Sequence, residues 1–179
     1  MNESKCDKAS KKHTIITILG ITSLALLMLV GIADAAQSLN YWSHRGGDLI
    51  SSEKYNEAII AFNKSIEINP HDSYAWVGKG VALGKLGKSD GAITAFDKAI
   101  EINPWYSKAW YNKGLALNQL NKYDDAIKAF DKAIEINPKY SAAWYNKAVI
   151  LNKSSKLAEA INAYEKAIEI NPQLRSLAQ

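Results

Sequence analysis

Cysteine is nearly absent from this chain of 179 residues; Cys6 is the only one. A single thiol excludes an internal disulfide and any thiolate metal cluster. Histidine is scarce as well: His13, His44 and His71 stand far apart, and none forms the HExxH spacing of a zinc hydrolase. A Gly-rich phosphate loop and a GxSxG nucleophile elbow are missing too. No acid, base and nucleophile are patterned to converge, so no catalytic residue, metal or cofactor is expected. An excess of one charge is also lacking. The net charge is +4, and beyond residue 35 there are 18 cations against 15 anions, interspersed. That balance argues against a nucleic-acid partner. With 47% hydrophobic and 22% charged residues, the chain has the apolar material for a folded core.

The one long hydrophobic run is at the start. Lys5, Lys8, Lys11 and Lys12 precede Thr14 to Ala33, which is uncharged and dominated by Ile, Leu and Val. At ~1.5 Å per residue such a helix spans ~30 Å, the thickness of a bilayer core. Ala33-Asp34-Ala35 has the Ala-x-Ala form of a signal-peptidase site, with Gly31 just before it. Residues 1–36 are therefore read as a signal peptide cleaved after Ala35 or as a single retained membrane anchor. Both readings keep the lysines cytoplasmic and carry the remainder across. The expected location is membrane-anchored or secreted, with the folded region extracytoplasmic.

Proline is rare, and its placement is regular. The four are Pro70, Pro104, Pro138 and Pro172, each 34 residues from the last. "EAIIAFNKSIEINP" returns as "GAITAFDKAIEINP", "DAIKAFDKAIEINP" and "EAINAYEKAIEINP". A fixed period of this length marks a solenoid of stacked units. Each unit holds two helical patterns: in the third, Trp110, Gly114, Leu117 and Leu120 form one stripe and Ala126, Phe130, Ala133 and Ile134 another. Asn121 and Gly87 suit the left-handed residue that closes a first helix, and Ser89 suits the cap of the next. Asn-Pro ends each second helix, because proline cannot continue the ladder.

These residues resemble the tetratricopeptide repeat. Trp42, Trp76, Trp110 and Trp144 recur in step with Gly46, Gly80, Gly114 and Ala148, and with Leu49, Leu83, Leu117 and Leu151. Ala58, Ala92, Ala126 and Ala160 follow, then Phe62, Phe96, Phe130 and Tyr164, then Ser65, Ala99, Ala133 and Ala167. The resemblance implies an all-α, right-handed solenoid of four helix-turn-helix units, eight helices in all, behind the N-terminal hydrophobic helix. The units are residues 39–72, 73–106, 107–140 and 141–174, with a short capping helix over 173–179. Small Gly and Ala let backbones approach, and Trp and Phe fill the adjoining space. The chain departs from the family pattern in one column, where Arg45, Lys79, Lys113 and Lys147 replace an expected leucine. Their stems are expected to pack while the charges reach nearby acids.

The resemblance further implies a non-catalytic scaffold that holds extended or helical segments of partner proteins against its first-helix face. Carried over, that groove contains Tyr74, Val77, Lys108, Tyr111, Asn112, Leu115, Asn118, Tyr145, Asn146, Val149 and Asn152, with Ser43, His44, Gly47, Gly78 and Val81 beside them. Asparagine amides could grip a peptide backbone, and tyrosines add flat apolar contact. The family's carboxylate clamp is not expected: its places hold Ser43, Gly47, Gly78, Lys108 and Asn112, and only Lys108 agrees in type. The sequons at Asn63 and Asn152 fall inside predicted helices and are weak signals. The last apolar face is expected to be incompletely covered, which leaves self-association through the C-terminal repeat as the alternative role, that of a structural assembly subunit.

Overall fold

The computed structural model describes residues 38 and 40–178. The proposed leader, 1–36, lies outside them. Among the described residues no helix is long and apolar enough to cross a membrane. A helix α1 (40–51) is followed by α2 (Tyr55–Ile68), α3 (Ser73–Lys85), α4 (Ser89–Ile102), α5 (Ser107–Gln119), α6 (Tyr123–Ile136), α7 (Ser141–Lys153) and α8 (Leu157–Ile170). Pro172–Ala178 ends the series as a short 3-10 helix.

From α2 onward each helix packs on the next, and the stack is a right-handed solenoid. Two odd-numbered contacts fix its curvature. α3 touches α5 and α5 touches α7, whereas among the described residues the even helices make no such contacts. The odd helices are thus the inner layer and the even ones the outer.

Local chemistry explains the repeated hairpin. Glu53, Gly87, Asn121 and Ser155 have φ of 58°, 72°, 57° and 59°, the left-handed conformation, at the same place in every unit. At each one, two backbone hydrogen bonds close the end of the first helix. In the second unit Lys88 N donates to Leu83 O at 3.0 Å and Gly87 N to Gly84 O at 3.0 Å. This Schellman arrangement satisfies carbonyls the helix leaves open. Ser89 does not cap α4: Lys88 is the cap residue, and the Ser89 hydroxyl donates instead to Gln119 Oε1 at 2.7 Å. The buried serine finds its partner in the next unit because Gln119 ends the neighbouring first helix.

Asn-Pro does more than stop a helix. The carboxamide oxygens of Asn69, Asn103, Asn137 and Asn171 accept from the amide two residues on, at 3.1, 3.1, 3.2 and 3.2 Å. These Asx turns steer the chain into the following unit. The indole of that unit then locks the corner: Trp76, Trp110 and Trp144 donate Nε1–H to the carbonyls of Pro70, Pro104 and Pro138 at 2.9, 2.9 and 3.0 Å.

The core is built from alanines and rings. Phe62, Phe96 and Phe130 are buried, and a Cβ added at Gly46, Gly80 or Gly114 would sit 2.6, 2.5 or 2.7 Å from the ring of its own unit. Glycine is therefore required there by contact rather than by backbone angle. Burying each phenyl contributes on the order of 2–3 kcal/mol. The fourth unit relaxes this fit, with Ala148 facing a half-buried Tyr164.

The cation column behaves as expected where an acid is available. Lys113 Nζ lies 2.7 Å from Asp97 and Lys147 Nζ 2.6 Å from Asp131, each bridging to the preceding unit. At the corresponding step Asn63 stands where the later units have Asp97 and Asp131, and the Lys79 ammonium lies over Trp76, 5.2 Å from the ring centroid.

Candidate functional site

The inner face carries the candidate residues, which the structure separates into three groups. In the first, Tyr111 and Tyr140 stack at a slant with centroids 4.8 Å apart, and Tyr111 also leans on the buried Phe130 at 5.8 Å. Asn146 Nδ2 donates to Tyr111 Oη at 3.2 Å and to Ala142 O at 2.8 Å, so both amide hydrogens are committed within the protein. Asn112 Nδ2 likewise donates to Lys108 O at 2.7 Å. The asparagines are thus positioned by their own helices and offer a partner mainly their oxygens. In the second group, Asn112 and Leu115 join Gly80, Val81 and Gly84 around a niche of ≈ 140 Å³ between α3 and α5. Gly84 makes this space, since its counterpart in the next unit is Asn118. In the third, Tyr145, Val149 and Asn152 line a hollow at the last unit.

Other candidates sit apart from these groups. Tyr74 is exposed, edge-on to Phe62 at 6.5 Å, and Lys108 is exposed. Val77 is buried in the core with Phe96, and Gly78 is pressed against the Phe62 ring. Val77 therefore offers a partner little exposed side chain, and Gly78 offers none. Ser43 is also buried: its hydroxyl meets Ser65 Oγ at 2.7 Å and donates to Asp72 Oδ2 at 3.2 Å. A residue held this way cannot serve in a carboxylate clamp. Asn118 Oδ1 is a buried acceptor with no hydrogen-bond partner among the described residues.

Two inner-face tyrosines escaped the sequence reading. Tyr106 and Tyr140 precede α5 and α7, 34 residues apart, where Asp72 caps α3 by accepting from Tyr74 N and Ala75 N. Their equal spacing was the available signal. Burial, with the neighbouring Tyr111 and Tyr106, pushes the Tyr140 phenol up to about 12. Burial also raises Tyr111, opposed by the hydrogen bond from Asn146. Tyr106 is raised by burial and then by Tyr74 and Asp72. The phenols therefore stay neutral, and each is half-buried.

The family model of the tetratricopeptide repeat matches residues 73–106, 107–140 and 141–174, and a second tetratricopeptide repeat model matches 33–72. The chain belongs to the tetratricopeptide repeat family. No curated protein matches it. Among solved structures, this tetratricopeptide chain is similar to a crystal structure of MamA, with a TM-score of 0.70 and 24% identity over 77% of this chain and 81% of that one. It is also similar to the Pseudomonas aeruginosa pilF protein, with a TM-score of 0.72 and 18% identity over 77% of this chain and 63% of that one. The first TPR of Spaghetti (RPAP3), bound to the HSP90 peptide SRMEEVD, aligns with a TM-score of 0.64 and 24% identity over 66% of this chain and 94% of that one. At these identities the likeness is one of fold.

Proposed function

We propose that this chain is a non-catalytic scaffold that binds segments of partner proteins along the inner faces of α3, α5 and α7. The half-buried phenols of Tyr106, Tyr111 and Tyr140, with Tyr74 exposed on the preceding unit, are the observation that carries this reading. Rigid phenols with apolar faces and polar tips provide contact area at small entropic cost. The exposed Lys108 beside them favours a segment bearing carboxylates. The basic, hydrophobic leader supports a place at the membrane or beyond it, with the repeats extracytoplasmic. The test is photo-crosslinking in native membranes, with a benzophenone amino acid placed singly at Tyr74, at Lys108 and at Lys128 on the outer helix α6. One partner captured from both inner positions and not from the outer one is the expected result. Equal capture from all three sinks the reading.

A further inference from the structure

Each second helix offers the same face to whatever follows it. Inside the stack that face is covered, and the covering helices share a rule. α3 brings Ala75 and Ala82 to it, α5 brings Ala109 and Ala116, and α7 brings Ala143 and Ile150. Each pair is seven residues apart and buried. Four residues after the first member stands a lysine, and in two of the three it pairs with an acid of the helix beneath: Lys113 with Asp97 and Lys147 with Asp131.

α8 repeats the receiving side. Ala160 and Ala163 continue the alanine columns, and Glu165 stands 34 residues after Asp131. Among the described residues this face is largely uncovered. Leu157 is 61% exposed and Ile161 52%, and with Tyr145, Ala148, Tyr164 and Glu165 they line a hollow of ≈ 410 Å³. The Pro172–Ala178 segment lies beside it, tied by the Tyr164 hydroxyl donating to Leu174 O at 3.2 Å. We infer that this end face docks an amphipathic helix of another protein, with a small residue, a lysine four positions later and a small or branched aliphatic residue seven after the first, the lysine reaching Glu165. Charge complementarity and the interior helices define the occupant. A second copy stacked head to tail fits poorly. In the same register α1 carries Tyr41 and Asp48, and a carboxylate at the last position would be buried against apolar side chains.

The test uses the full chain in mild detergent and a labelled peptide of residues 138–153, PKYSAAWYNKAVILNK, which contains α7. Saturable binding by fluorescence anisotropy is expected. Ile161→Asp should weaken it about tenfold or more, and Glu165→Lys about threefold. The peptide variant Lys147→Glu should recover affinity for the Glu165→Lys protein. Both protein variants change exposed side chains and should melt as the wild type does by circular dichroism. Absence of binding to the wild type, or binding indifferent to both substitutions, overturns the inference. So does concentration-dependent dimerisation in sedimentation that Ile161→Asp abolishes, because that assigns the face to a second copy. None of these results depends on Tyr74 or Lys108, so the groove reading stands or falls separately.

Discussion

The α6–α7 interface and the outer face of α8 are made from the same columns of residues and differ in what lies over them. Beneath α7, Phe130 is sealed between Gly114 and the alanines of its unit. On α8 the matching Tyr164 is half-buried, Ala148 replaces the glycine, and the neighbouring isoleucine is open to solvent. The same pattern is thus a core in one place and a surface in another. In a solenoid each unit acquires its interior from its neighbour.

The largest expected effect breaks this comparison directly. Phe130→Ala should cost about 3–5 kcal/mol of unfolding free energy, the range for emptying a sealed phenyl site. Tyr164→Ala should cost about 1–2 kcal/mol, because much of its ring is already wet. Urea unfolding of the full chain followed by circular dichroism measures both, and equal losses would refute the distinction.

A second contrast lies in the corners before the first helices. Tyr140 leads into α7, and Leu174 holds the same place after α8. An acid whose folded pKa exceeds its unfolded value of about 10 contributes stability that is complete below that pH. With Tyr140 pushed up to about 12, the contribution is lost as the pH climbs from about 10 through 12. For a half-exposed ring this is worth about 1 kcal/mol after discounting for solvent. Tyr140→Phe should flatten the stability profile in that window. An identical alkaline slope in wild type and variant would show that the ring is not held dry.

The smallest effect concerns the hairpin turns. Ser155 and Gly87 share the left-handed conformation, which strains an L-residue by about 1–2 kcal/mol, while glycine gives back about 0.5–1 kcal/mol in chain entropy. Ser155→Gly should therefore raise stability by about 0.5–1 kcal/mol, and Gly87→Ser should lower it by as much. Thermal melts of the two variants moving in the same direction would refute this account.

The helix pairs were legible because the 34-residue period repeats the closing proline and the small–aromatic contact; the left-handed turn was legible only at Gly87 and Asn121, since Glu53 and Ser155 adopt it without a residue that signals it. The lysine column was legible because Asp97 and Asp131 recur in the same step. What escaped depended on direction within a turn of helix. Val77 and Gly78 were placed in the groove by the family resemblance; Val77 is buried, and Gly78 has no side chain to project and admits the Phe62 ring of the preceding unit. Tyr106 and Tyr140 fell in loops, where no periodicity points to a face. Ser89 follows the cap place by one residue, and its partner Gln119 lies in the next unit, beyond any local rule.

The indole–proline hydrogen bonds have a consequence of their own. Every junction between units holds one tryptophan clamped on the corner it closes, and Trp105, 75% exposed, stands outside that set. The molecule therefore carries a built-in optical gauge for each joint. If the stack peels apart from its carboxyl end, the emission of Trp144 shifts first, followed by Trp110 and then Trp76, and single-tryptophan versions of the chain would time the joints one by one.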